Sequence, residues 1–255
     1  MTTSLEIAGT QVARIGLGTN RLTNTPENVA FVKEAVSAGV GMIDTAHVYT
    51  GGESEETIGT ALGAAPQGCV AATKGGYHSG EGRPEVLRAQ IEESLRRLGT
   101  DRIGLYYLHR VDPRTPLEES LAVIAQYRDR GRIREAGISA VGVEEIDRAR
   151  QVLPVAAVQN PYNLAERSHE EVVDYCAQEG IVFVPYYPLH GDRDPALTEI
   201  AARHGATIEQ IALAWLLKRS PTMLPIPGTL SLEHLRQNLA ALEIELSDAE
   251  FEALL

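Results

Sequence analysis

The chain has 255 residues, enough for one large domain or two small ones, and its 44% hydrophobic content can fill an ordinary core. A formal net charge of −12 argues against the clustered basic face that nucleic acid or an anionic membrane surface needs, while a few local groups can still hold an anionic small molecule. Cys69 and Cys176 lie far apart in apolar stretches, with no CxxC and no histidine at ligand spacing, so both read as buried thiols and no metal is expected. No basic leader followed by an apolar run opens the chain and no run reaches membrane length, which points to the cytoplasm.

Residues 4–17 alternate apolar and polar side chains around Ala8-Gly9-Thr10-Gln11, which predicts a β-hairpin plugging one end of a barrel. Apolar strand candidates follow at 15–18, 41–44, 70–73, 103–108, 133–138, 156–159, 181–186 and 223–226. Between them lie amphipathic helical patterns, among them 27–37, 84–98, 117–130, 168–178 and 207–218. Gly39, Gly99, Gly131 and Gly180 each separate a helix pattern from a strand, where a left-handed residue lets the chain turn back. Eight alternations without a linker or charge block predict an α/β fold, a (β/α)8 TIM barrel with an N-terminal β-hairpin, over residues 1–255 as a single domain.

In such a barrel reactive groups belong at the C-terminal ends of strands. The second strand ends in Asp44 and leads to Tyr49, the third ends in Thr73-Lys74, and the fourth in Leu108-His109. Each alone has an ordinary structural use as a loop cap, a solvated cation or a satisfied imidazole. Together they describe an acid aimed at an oxygen gaining negative charge. A free phenol, with a pKa near 10, is a poor proton donor at neutral pH, and a neighbouring ammonium lowers it. Lys74 is expected to supply that charge, Asp44 to fix Lys74, and His109 to hydrogen-bond an incoming carbonyl oxygen. Two other readings remain: Lys74 as the nucleophile of a Schiff-base lyase, and a regulatory subunit that binds a nucleotide without turnover.

These residues also carry a resemblance. Asp44-Thr45-Ala46-x-x-Tyr49, then Gly51-Gly52-Glu53-Ser54-Glu55 and Ile58-Gly59, looks like the signature of aldo-keto reductases, with Lys74 and His109 at the family's other two catalytic positions. Gly16-Leu17-Gly18, Gly137-Ile138-Ser139, Val158-Gln159-Asn160-Pro161-Tyr162-Asn163, Pro188-Leu189 and Ile226-Pro227-Gly228-Thr229 extend it over essentially the whole chain. The C-terminal third resembles the bacterial branch that includes pyridoxal reductases.

The resemblance implies reduction of a small aldehyde or ketone with NADPH ahead of NADH, in a protein expected to be a monomer. It implies that Ser139 and Gln159 hold the nicotinamide carboxamide, that Tyr186 stacks on the ring, and that Asn238 lies near the adenine. Gly228, Thr229 and Ser231, opening a helix, suit a phosphate. Gly18, Thr19, Asn20, Asp44, Pro188, Leu189, Ile226, His234 and Arg236 complete the implied cofactor set. Ala140 stands where many members carry Asn, and Gly228 and His234 where animal-type members carry a Lys and an Arg. His47, Val48, Tyr77, His78, Arg110 and His190 are expected at the substrate rim.

Overall fold

A computed structural model describes residues 2–63, 68–190 and 195–255. Strands β1 (Ser4–Ile7) and β2 (Thr10–Ala13) form the expected antiparallel hairpin. Its turn sits at Ala8 and Gly9, both in the left-handed region (φ 49° and 62°) that a tight hairpin turn demands.

Seven parallel strands follow in chain order: β3 (Leu17–Gly18), β4 (Met42–Asp44), β5 (Val70–Gly75), β6 (Ile103–Leu108), β7 (Ile133–Ser139), β8 (Val155–Gln159) and β9 (Val182–Phe183). The expected eighth strand is present as a hydrogen-bonded segment that closes the (β/α)8 barrel. On one side the Leu224 and Ile226 N–H groups donate to Phe183 and Pro185 O, and on the other Gly16 and Gly18 N–H donate to Pro225 and Pro227 O. Pro225 and Pro227 have no N–H to return, which breaks the ladder toward β3 and keeps this stretch from being a regular strand. Likewise the run expected over 181–186 is regular only at Val182–Phe183, with Pro185 near its end.

Helices α1 (Pro26–Ser37), α2 (Glu53–Leu62), α3 (Pro84–Leu98), α4 (Leu117–Asp129), α5 (Val143–Arg150), α6 (Glu170–Glu179), α7 (Pro195–His204), α8 (Ile208–Arg219), α9 (Leu232–Ala240) and α10 (Asp248–Glu252) complete the described elements. Their starts follow from composition: Thr25, Thr207, Ser231 and Ser247 each accept a first-turn N–H, as small hydroxyl residues do at helix entries. Gly39, Gly99, Gly131 and Gly180 all have positive φ, as the turn back to the next strand requires.

Two apolar layers hold the barrel. Outward residues such as Ile43, Tyr106, Leu108, Ile138 and Phe183 pack with Leu87, Ile91, Leu121, Val173 and Trp215 of the helices. Inward residues Met42, Val70, Ala72, Leu105, Tyr107, Ala157, Val182, Val184, Leu224 and Ile226 fill the interior together with Ile7, Ala8 and Val12 of the hairpin. The hairpin therefore plugs the interior from below. Because side chains alternate along a strand, the inward position after Met42 is Asp44, after Ala72 Lys74, after Tyr107 His109, after Ala157 Gln159 and after Val184 Tyr186. The apolar core thus ends, strand by strand, in a polar layer at one mouth.

Candidate active site

Parallel register brings that layer together. Asp44 pairs with Ala72 and Lys74 with Tyr107, so the ends of β4, β5 and β6 are adjacent. Lys74 is fully buried, and its Nζ donates to Asp44 Oδ1 at 2.5 Å, Thr45 O at 2.7 Å and the Tyr49 hydroxyl at 3.4 Å. The ammonium also stands 4.8 Å from the Tyr49 ring centroid. Asp44 receives a second bond from the other side of the barrel, Gln159 Nε2 to Oδ2 at 2.8 Å. The Tyr49 and His109 rings meet edge to face with centroids 5.9 Å apart, and Tyr77 packs on His109 at 4.7 Å. The four residues read from the strand ends lie in one cluster.

The segment carrying Tyr49 is fixed by its sequence. Thr50, Gly51 and Gly52 all take positive φ (47°, 66° and 102°), a tight reversal that two glycines make accessible. A Cβ on Gly52 would meet the Arg97 guanidinium at 2.3 Å, so glycine also lets Arg97 approach. Arg97 donates to His47 O at 3.0 Å and to Glu55 Oε2 at 3.3 Å, while buried Glu55 accepts from Thr73 Oγ1 at 2.6 Å. Ser54 joins Thr19 Oγ1 at 2.8 Å and Thr45 Oγ1 at 2.7 Å. Glu55 and Ser54 of the Gly-Gly-Glu-Ser-Glu run therefore bind the segments around Asp44, Tyr49 and Lys74 to one another.

Electrostatics differ from the expectation at one point. Burial raises the Tyr49 phenol above its ordinary pKa more than Lys74 lowers it, so the net direction is upward, not downward. Tyr49 is a neutral phenol that keeps its proton at physiological pH. Burial also opposes the charge on Lys74, but Asp44 and Tyr49 outweigh it and the amine is held above its ordinary value. For His109 burial, aided by the charges of Lys74 and Arg110, brings the pKa down to about 2, and its buried Nδ1 has no partner among the described residues. The imidazole is neutral.

A cavity of about 700 Å³ opens over this cluster, within the range of small-molecule sites. Of the expected residues, Gly18, Thr19, Asn20, Asp44, Tyr49, His109, Ser139, Gln159, Tyr186, Pro188, Leu189, Ile226 and Gly228 line it. A second cavity of about 420 Å³ shares Gly18, Thr19, Asn20 and Gly228 and adds Thr229, Ser231 and His234 at the start of α9. Ser139 and Gln159 pair directly in register across β7 and β8. The Ser139 hydroxyl has no partner among the described residues.

Other expected residues lie off the cavity walls. Lys74 lies beneath the cavity rather than on its wall, because Asp44 and Tyr49 cover it. Arg236 is exposed and Asn238 buried, and neither lines either cavity, since both lie beyond the first turn of α9 that faces them. At the rim Val48, Tyr77, Arg110 and His190 line the cavity, but His47 and His78 do not. The carbonyl of His47 is held by Arg97, and the exposed His78 packs on Tyr77.

Arg21, Thr50 and Tyr187 line the cavity without having been singled out in the sequence. Arg21 lines both cavities; its place, just after the Gly18-Thr19-Asn20 strand end, is the signal that could have found it. Tyr187 is half exposed (52%) and held at a positive φ of 54°, a backbone state that no sequence rule assigns to tyrosine.

Known proteins agree with this architecture. Residues 14–254 match the sequence profile described as the Aldo/keto reductase family. Pyridoxine 4-dehydrogenase of Escherichia coli is 35% identical over 86% of this chain and 82% of its own length. A thermostable aldo-keto reductase solved with the inhibitor epalrestat superimposes with a TM-score of 0.91 at 34% identity, covering 99% of this chain and 98% of that one. An aldo/keto reductase from Klebsiella pneumoniae, solved with NADP and acetate, gives 0.87 at 29% identity over 100% of this chain and 94% of that one. With the sequence match spanning nearly its whole length and the barrel shared with solved members, this chain belongs to the aldo/keto reductase family of oxidoreductases.

Proposed function

We propose that the chain reduces aldehydes or ketones to alcohols with NADPH, Tyr49 delivering the proton to the carbonyl oxygen. One observation carries this reading: a neutral phenol on the cavity wall has its hydroxyl 3.4 Å from a buried, fully charged ammonium. The phenolate left after proton donation would form beside a fixed positive charge, which stabilises it without rearrangement. Asp44 keeps Lys74 charged and in place. His109, neutral because of its burial, acts by hydrogen-bonding the substrate oxygen rather than by supplying a proton.

The cavity suits the cofactor. When bound there, NADPH would supply the hydride for the carbonyl carbon, and Tyr49 would supply the proton that completes the alcohol. The unpartnered Ser139 hydroxyl and the Gln159 carbonyl oxygen, whose NH2 already faces Asp44, present a donor and an acceptor, respectively, for a carboxamide. The ring of Tyr186 on the same wall offers a stacking face. At the other end Arg21, Thr229, Ser231 and His234 surround the second cavity, where the first-turn N–H groups of α9, apart from that of His234 taken by Ser231 Oγ, lack helical acceptors and suit phosphate. Preference for NADPH over NADH would rest on those four residues and on Arg236, exposed on the next turn of α9.

The lyase reading is disfavoured by the same geometry. Lys74 is buried, donates to three oxygens and holds its proton more tightly than a free lysine, so no nucleophilic amine faces the cavity. The test is oxidation of NADPH, then NADH, in the presence of a panel of aldehydes that includes pyridoxal. Turnover by the wild type and its loss in Tyr49→Phe, with nucleotide binding retained, is the expected result. Turnover of the Phe variant above a tenth of the wild-type rate removes Tyr49 as the acid, and binding without any turnover favours a regulatory role.

A further inference from the structure

The proposed reduction leaves one charged group on the cavity wall without a use. Among the described residues lining the main cavity the Arg, Lys, Asp and Glu side chains are Arg21, Asp44 and Arg110. Asp44 is occupied by Lys74 and Gln159. Arg21 also lines the second cavity, so it belongs to the phosphate end. Arg110 lines only the main cavity, pairs with no described carboxylate, and lies with its guanidinium 4.8 Å from the Tyr77 ring centroid. Tyr77 in turn packs on His109, so this cation stands one aromatic ring away from the proposed substrate-orienting imidazole.

The wall is built rather than loose. Asp112 accepts the N–H groups of Gly80, Gly82 and Arg114 and the Thr115 hydroxyl, each at 3.0 Å, which ties the loop after β5 to the loop after β6. Glu81 takes the N–H groups of Tyr77 and His78 at 3.1 and 3.0 Å. Tyr77 and Arg110 therefore sit on two loops joined by a shared carboxylate. A positioned cation facing the cavity of a chain with net charge −12 is an electrostatic exception, and a guanidinium is shaped for two-point binding of a planar or tetrahedral oxyanion.

We propose that Arg110 selects carbonyl substrates that carry a carboxylate or phosphate remote from the reacting carbon. The anion docks on the guanidinium stacked over Tyr77, and the carbonyl reaches Tyr49 and His109. The inference rests on the reductase reading above.

The experiment compares wild type, Arg110→Met and Arg110→Lys with two matched pairs: 4-formylbenzoate against uncharged 4-formylbenzamide, and pyridoxal 5′-phosphate against pyridoxal, all at saturating NADPH. The expected result is an anion-to-neutral ratio of kcat/KM that falls by about tenfold or more in Arg110→Met, the size of a lost charge-assisted hydrogen bond, through KM rather than kcat. Arg110→Lys should restore part of the ratio, and added salt should narrow it in the wild type. Discrimination confined to one pair also supports the proposal and says whether carboxylate or phosphate is preferred. Equal losses for charged and neutral partners, or no change in either pair, overturn it while the reductase reading stands. Failure of the wild type to reduce any of the four aldehydes overturns both.

Discussion

Gln159 and Lys74 reach Asp44 from opposite sides of the barrel, one carboxylate oxygen each, at 2.8 and 2.5 Å. The buried pair is therefore satisfied, and removing either charge strands the other. Lys74→Met and Asp44→Asn should each destabilise the fold by about 3–5 kcal/mol, as breaking buried pairs does, and the double variant should lose clearly less than the sum. Urea unfolding of the three variants measures this. Strict additivity would mean that the two groups are not coupled.

The proposed reduction uses the protonated phenol of Tyr49, whose pKa burial holds above the ordinary 10.0. The rate should therefore hold through neutral pH and fall only on the alkaline side of that value. A limb in the kcat profile between pH 7 and 8 that vanishes with Tyr49→Phe would contradict the shift.

His109 gives stability a pH dependence of definite sign. Its folded pKa of about 2 lies below the ordinary 6.5, so as pH falls the unfolded chain takes up the proton first. The contribution is intact above 6.5 and declines below it, by at most about 1.4 kcal/mol per pH unit. Replacement by Gln should flatten the loss of unfolding free energy between pH 6.5 and 4.

Gly59 is a packing glycine. A Cβ there would lie 2.4 Å from Arg97 O and 2.8 Å from Leu98 O, backbone atoms at the end of α3. Gly59→Ala should cost about 1–3 kcal/mol by forcing α2 and α3 apart, and should lower activity because Glu55 and Arg97 span the same junction. Thermal unfolding with a parallel assay checks both.

Ala140 holds a positive φ of 57°, a state that Asn and Gly enter more readily than Ala. Ala140→Asn should therefore raise stability by about 0.5–1 kcal/mol in denaturant titration, within the range for relieving such a position. It would also set a polar side chain on the cavity wall beside Ser139 and Gln159.

Much of the site was legible because strand parity is strict. Once the apolar runs were placed, their C-terminal ends marked Asp44, Lys74 and His109 and the family resemblance marked Gln159 and Tyr186; strict alternation is why all five point to one mouth of the barrel. The net direction of the Tyr49 shift was not legible, since a neighbouring Lys can be read from sequence but the desolvation opposing it depends on the assembled wall. Nor were the exclusion of His47, drawn into the Arg97 junction, or the inclusion of Arg21 and Tyr187. Those depend on loop conformation, where positive φ at Thr50 and Tyr187 sets directions that periodicity does not encode. The broken eighth strand shows the same limit: its apolar residues marked the position, while its two prolines decided the bonding.

Those prolines have a further effect. Along the joint between β3 and the closing segment Gly16 and Gly18 donate to Pro225 and Pro227 O, and neither proline can donate in return. This joint lacks return bonds that a regular parallel pair has, so the Gly16 and Gly18 amides should exchange with deuterium ahead of those between β5 and β6. Gly18, Ile226 and Gly228 line the main cavity beside it, so the joint that seals the cylinder is also part of the cavity wall.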